Sequence, residues 1–135
     1  MDFLTPTQRS YRMSLIRKKD TRPELVVRKA VHRLGYRFRL HRADLPGTPD
    51  LVFVRLRKVI DVRGCFWHSH SCRRVKPRVA TRKEYWRPKL ARNAAGDRSN
   101  VRRLRRLGWA VLVVWECETR KPAALARRLR DFLRS

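Results

Sequence analysis

Nine consecutive residues, Gly64-Cys65-Phe66-Trp67-His68-Ser69-His70-Ser71-Cys72, carry two cysteines, two histidines and an adjacent pair of aromatics set among polar neighbours. Thiolates and imidazoles are the donors that zinc prefers, and a structural zinc needs four of them arranged tetrahedrally. Cys65, His70 and Cys72 supply three. The remaining cysteine, Cys117, follows the apolar run Trp109 to Trp115, where a strand should end, and is the expected fourth. A site of this kind pins a loop to a remote strand end. The alternatives are buried free cysteines acting as small hydrophobes, or disulfides. An odd count of three argues against a disulfide set. Asp2 and the charges from Arg9 onward interrupt any apolar N-terminal run, so no signal peptide is expected. The expected setting is therefore a reducing, cytoplasmic one. The spacing C-x4-H-x-C with a remote cysteine is not a common zinc-finger pattern, so the ligand chemistry carries the argument.

The chain has 135 residues, the size of one domain with one core. Hydrophobic residues make up 42%, too many for a disordered basic tail, while 36 Lys and Arg against 11 Asp and Glu leave a net charge of +25. Such a field attracts a polyanion, and release of counterions from phosphates makes nucleic acid the expected partner. No long apolar stretch stands apart from the core-forming pattern, so no membrane association is expected.

Residues 1–19 form a basic, weakly periodic arm in which Thr7 or Ser10 can start a short helix bearing Tyr11, Met13, Leu15 and Ile16; residues 20–135 form the folded domain. Asp20 or Thr21 caps a helix with Pro23 and Glu24 in its first turn and Val27, Ala30, Val31 and Leu34 on one face, ending at Gly35. Tyr36, Phe38 and Leu40 alternate as a half-buried edge strand; Asp50–Val54 and Lys58–Val62 read as a hairpin. Thr81-x-x-Glu84 is a capping box for a helix that Pro88 kinks or divides and that ends at Gly108. Trp109 to Trp115 suits a central strand buried on both faces, with Trp109 and Trp115 in the core, and Ala123 to Leu133 a closing helix. The order predicts an α/β sheet flanked by helices.

Asp50 opens one hairpin strand and Asp61 lies near the end of the other, with Arg63 two positions beyond. Carboxylates brought together in this way can hold Mg²⁺, which polarises a phosphodiester and activates water. His68 is then placed to deprotonate that water near neutral pH, and Glu24 can reach the same cavity. The plainer readings are a strand-turn role for Asp50, an arginine partner for Asp61 and a helix-end charge for Glu24. In a chain this basic the set together favours a nuclease.

Thr21-Arg22-Pro23-Glu24, Leu45-Pro46-Gly47-Thr48-Pro49-Asp50, Gly64-Cys65-Phe66-Trp67-His68 and Trp115-Glu116-Cys117 together resemble the very short patch repair (Vsr) endonucleases, which nick DNA at T:G mismatches. The similarity runs from about Arg9 to Cys117, with the motifs in the family's order. The resemblance implies a restriction-endonuclease-like fold with a mixed central sheet. It implies a structural Zn²⁺ on Cys65, His70, Cys72 and Cys117, and a catalytic Mg²⁺ on Asp50. His68 would be the general base and Glu24 a supporting acid. The implied reaction is a nick in one strand 5′ to the T of a T:G mismatch, which starts repair of deaminated 5-methylcytosine.

Best-known members carry threonine and histidine before the glycine, where this chain has Val62 and Arg63. A backbone carbonyl survives the change, so Val62 can still ligate, with Asp61 alongside. Arg63 cannot transfer a proton but can stabilise charge on the phosphate. The resemblance also implies that Phe66, Trp67 and Trp86 intercalate beside the mismatch, where a wobble pair unstacks at least cost. The expected partners are double-stranded DNA with a T:G mismatch and a mismatch-repair protein, with the enzyme itself a monomer. The alternatives are a zinc-stabilised DNA-binding module without catalysis and a restriction-type nicking enzyme with another target.

Overall fold

The computed structural model describes residues 20–65, 68, 70 and 83–135, residues 83–86 by their backbone alone. The expected N-terminal arm, Thr81 of the capping box, Phe66, Trp67, Cys72 and the ring of Trp86 lie outside the described residues. The elements are α1 (Arg22–Arg33), β1 (Arg39–Leu40), β2 (Leu51–Phe53), β3 (Lys58–Arg63), α2 (Lys83–Arg106), β4 (Ala110–Trp115), a 3₁₀ segment (Glu116–Arg120) and α3 (Pro122–Arg134). This is the expected order in a mixed α/β fold.

The four strands form one sheet in the order β1-β2-β3-β4. β1, β2 and β3 are antiparallel neighbours, with Leu51 opposite Ile60 and Val52 opposite Val59. β4 runs parallel to β3, with Arg63 opposite Trp115, and the connection between them contains α2. A parallel pair needs such a crossover, because its strands start at the same end of the sheet.

Alternation along the strands divides the core in two. Leu51, Phe53, Ile60 and Val114 face α1 and α3, packing on Val27, Val31, Leu125, Leu129 and Leu133. Val52 and Val59 face the other way, against Leu45, Leu104 of α2 and Trp109. Burying each of the larger side chains contributes about 1.5–3 kcal/mol. Lys58, on the α1/α3 face, is itself buried and donates from Nζ to the carbonyls of Phe132 (2.7 Å) and Ser135 (2.6 Å), which ties the end of α3 to the sheet.

Three sequence expectations are corrected. β4 is an edge strand among the described residues: Ala110 is exposed and only Val114 is fully buried, because its apolar run is covered by one neighbouring strand rather than two. Trp109 is core, but Trp115 is half-buried and stacks on His70 instead. Of the two outcomes expected at Pro88, a kink or a division, α2 shows no division and runs on through the proline over its 24 residues. The strand expected from Tyr36 is also shorter. Tyr36 and Phe38 place their rings against Phe53 and partly cover the core, and only Arg39 and Leu40 pair.

Candidate active site

Thr21 caps α1, its Oγ1 accepting from the Glu24 amide at 3.4 Å, and this sets Glu24 in the first helical turn facing inward, 1% exposed. Asp20, at a left-handed φ of 57°, donates its own amide to Glu24 Oε1 at 3.3 Å. Arg28, one turn along the helix, binds both Asp20 and Glu24. Buried Glu24 is thereby neutralised from its own element.

The hairpin delivers the other carboxylates. β2 enters the sheet where β3 is about to leave it, so Asp50, just before Leu51, lies beside Asp61, just after Ile60. Asp50 Oδ2 accepts the Val62 amide at 2.7 Å. Burial, foremost, and the neighbouring Asp61 carboxylate push the Asp50 carboxyl up to about 9, against the pull of the Val62 amide. Arg63 is 9% exposed; its Nε donates to Asp61 Oδ2 at 2.9 Å and its guanidinium lies over the Trp115 ring. Arg63 thus serves Asp61 as a countercharge, the arginine partner foreseen as the plainer reading of Asp61. Asp50 and Asp61 also share a carboxylate–carboxylate contact, and Glu24 acts on the same Asp50 electrostatically.

His41 joins α1 to the hairpin. Its Nε2 stands 2.9 and 3.0 Å from the two Glu24 carboxylate oxygens and 3.9 Å from Asp50 Oδ1, and its amide donates to the Asp50 carbonyl. His41 holds a left-handed φ of 47°, a conformation that non-glycine residues adopt infrequently. Nothing in the local sequence points to it.

His68 is anchored from the opposite side. Its Nδ1 lies 2.6 Å from Asp97 Oδ2, and Asp97 is on α2, the helix covering the sheet face on which Asp50, Asp61 and Arg63 project. A carboxylate on Nδ1 favours the tautomer with its proton there and leaves Nε2 as the basic nitrogen. Asp97 was not foreseen either; it shares an arginine-rich helix with one other acid, Glu84, and nothing else marks it.

The metal-type cluster follows from strand register. Because Arg63 pairs with Trp115 in parallel, two residues further on each strand brings Cys65 beside Cys117. The chain then turns back, with the His68 amide bonded to the Gly64 carbonyl and the His70 amide to the Cys65 carbonyl at 2.9 Å, which returns the His70 ring to the cysteines. Donor atoms of Cys65, His70 and Cys117 lie within 4.8 Å of one another, and Cys117 Sγ is 3.7 Å from His70 Nδ1. Tetrahedral zinc with bonds of about 2.1 and 2.3 Å sets such an edge near about 3.6 Å, so these three residues fit the metal. The Glu116 carboxylate accepts the Cys65 amide and His70 stacks on Trp115 at 4.1 Å, which orients two of the donors.

A mixed sheet that gathers Glu24, Asp50 and Asp61 at one end, an imidazole held by a carboxylate of α2 and a cysteine–histidine cluster, in a chain of net charge +25, define an α/β protein with an acidic site in a basic frame. The family model described as DNA mismatch endonuclease Vsr matches residues 1–74. The type II nicking enzyme V.XorIIP of Xanthomonas oryzae is 50% identical over 132 residues, covering 98% of this chain and 96% of the relative. The DNA mismatch endonuclease Vsr of Escherichia coli is 41% identical over 130 residues, 93% of this chain and 83% of the relative. The type II nicking enzyme V.NmeAIP of Neisseria meningitidis is 36% identical, covering 98% and 94%. The chain belongs to the Vsr DNA mismatch endonuclease family and is an endonuclease, a hydrolase. No helix among the described residues is long and apolar enough to cross a membrane.

Proposed function

We propose that this chain is a Mg²⁺-dependent endonuclease that nicks one strand of double-stranded DNA 5′ to the T of a T:G mismatch, and so starts very short patch repair of deaminated 5-methylcytosine. The observation that carries the reading is the convergence of Asp50, Asp61 and Glu24 at one end of the sheet. The site then belongs to a restriction-endonuclease-like fold over residues 20–135, with residues 1–19 as a basic arm against the duplex.

Asp50, Asp61 and the Val62 carbonyl are the Mg²⁺ ligands in this reading. When bound, the ion neutralises charge on the scissile phosphate and lowers the pKa of a coordinated water. His68 Nε2 takes the proton from the attacking water while Asp97 steadies the resulting imidazolium. Arg63 restrains Asp61 and adds positive charge near the phosphate. Glu24 supports the same cavity from α1. Cys65, His70, Cys72 and Cys117 hold a structural Zn²⁺ that fixes the loop bearing His68, Phe66 and Trp67. Phe66, Trp67 and Trp86 wedge beside the mismatch, where a T:G wobble pair resists least.

The decisive experiment incubates purified protein with matched and T:G duplexes in several flanking contexts, with Mg²⁺ and with EDTA added after assembly. Nicking confined to T:G duplexes and dependent on Mg²⁺ is the expected result. T:G DNA left intact in every context while binding persists refutes the assignment. The same screen separates a second reading, a nicking enzyme tied to another target, which is favoured by the name of the V.XorIIP relative. In that case the flanking sequence, rather than the mismatch, controls cleavage.

A further inference from the structure

The His41 ring stands between two carboxylates from different elements, and no role proposed above uses it. Its Nε2 lies 2.9 and 3.0 Å from the Glu24 oxygens and 3.9 Å from Asp50 Oδ1. With metal–ligand bonds of about 2.1 Å, cis donors of an octahedral cation stand about 3.0 Å apart and trans donors about 4.2 Å. The Glu24 spacings equal a cis edge, and the Asp50 spacing falls between the cis and trans values, closer to trans. Asp20, Glu24 and His41 donors likewise fall within 4.8 Å of one another, with Arg28 bound to both Asp20 and Glu24, while Asp50 approaches the same His41 nitrogen from another segment.

We propose that His41 Nε2 is a direct ligand of the divalent cation on Asp50, which makes the site a mixed nitrogen–oxygen centre shared by α1 and the two ends of the segment between β1 and β2. The inference rests on the metal-dependent reading above. Nitrogen ligation has a chemical consequence. Magnesium prefers all-oxygen shells, whereas an imidazole favours later divalent ions, so one histidine tilts the site from Mg²⁺ toward Mn²⁺ and Co²⁺. It also places a neutral donor where a fourth carboxylate would overcharge a site already holding Asp50, Asp61 and Glu24. The Arg28 guanidinium stays on Glu24, so Glu24 contributes through one oxygen or through water.

The test loads the zinc-containing protein with one equivalent of Mn²⁺ and records pulsed EPR, which detects ¹⁴N coupled directly to the ion. Asparagine tolerates the left-handed backbone at this position, so His41→Asn is the variant least prone to misfold. The wild type should show imidazole ¹⁴N coupling. His41→Asn should bind Mn²⁺ about tenfold more weakly, lose the coupling and lower the ratio of Mn²⁺ to Mg²⁺ affinity. Bound Mn²⁺ that disappears in Asp50→Asn yet shows no ¹⁴N coupling in the wild type overturns the proposal without any His41 variant. Coupling that persists in His41→Asn does the same, because another histidine is then the ligand. Absence of Mn²⁺ binding, or binding indifferent to Asp50→Asn, overturns the metal-dependent reading and this inference together.

Discussion

Replacing Asp50 by Asn should stabilise the protein while abolishing its chemistry, and the size and sign of the effect follow from the site. The Asp50 carboxyl is pushed up from 3.8 to about 9, first by burial and then by Asp61. Between those two values the folded chain holds a proton that the unfolded chain has released. The folded state then binds more protons, so stability falls as pH rises through this window. At pH 7, about three units above the ordinary value, the effect is on the order of 4 kcal/mol, carried by the Asp50–Asp61 pair jointly. Asparagine is neutral, has nearly the same shape and keeps an oxygen for the Val62 amide. Urea unfolding without added Mg²⁺ should therefore show Asp50→Asn more stable than wild type by roughly 2–4 kcal/mol near pH 8, the gap closing toward about pH 4. Saturating Mg²⁺ should raise the wild type alone, by about 2.7 kcal/mol at a hundredfold excess over Kd. The reasoning is falsified if Asp50→Asn is the less stable protein near pH 8 without Mg²⁺, or if the gap is flat with pH.

Three further outcomes are expected. Asp97→Asn should lower kcat on T:G duplex by about 10- to 100-fold with little change in KM, because it leaves the His68 ring in place but withdraws the charge that fixes its tautomer; single-turnover kinetics would show an unchanged kcat if Asp97 were only structural. Cys117→Ala should release zinc, measured by elemental analysis, and lower the melting temperature, since the metal's binding energy is folding energy; one equivalent of zinc and an unaltered melt would remove Cys117 from the ligand set. Gly47→Ala should cost about 1–3 kcal/mol, because Gly47 has φ +75° and an added Cβ would meet the Asn100 side chain at 2.9–3.1 Å. Replacing Asn100 by Ala in the same background should recover the steric part in chemical denaturation but not the backbone part.

Much of the site was legible because carboxylates are scarce in this chain. With 36 basic residues and 11 acidic ones, an acid in the interior has to be explained, and Glu24, Asp50 and Asp61 stood out on that ground. The partnership of Cys65 and Cys117 was legible from ligand chemistry, and the register Arg63 to Trp115 supplies its cause. What stayed hidden depends on tertiary approach. His41 gains its position from an unusual backbone dihedral and from meeting a helix seventeen residues away, and the segment Arg39-Leu40-His41 encodes neither. Asp97 draws no notice in the sequence, because its contact with His68 depends on where α2 lies in the fold. The misreading of β4 has a similar origin: an apolar run records how much surface a strand can bury, whereas the number of neighbours is set by the whole topology.

The distribution of arginines links stability to chemistry. Arg28 sits on Asp20 and Glu24, and Arg63 on Asp61, so three of the clustered carboxylates have a cationic partner among the described residues. Asp50 meets no guanidinium among the described residues: its oxygens face the Val62 amide, the Asp61 carboxylate and, at 3.9 Å, the His41 ring. In a chain so rich in arginine, a guanidinium on Asp50 would have been easy to supply and would have removed the cost of burying it. It would also have filled the position a divalent cation must take. Leaving that carboxylate without a guanidinium lowers the stability of the fold and, in the proposed metal-dependent reading, keeps a site for a hard cation inside an otherwise basic body. The same arrangement favours phosphate approach, because the basic surface draws the backbone of DNA toward an acidic floor that only a bound cation makes tolerable. An Asp50→Arg variant should therefore bind duplex at least as tightly as wild type while losing both Mg²⁺ binding and nicking. Weaker DNA binding by that variant in low salt would contradict the electrostatic division between surface and site.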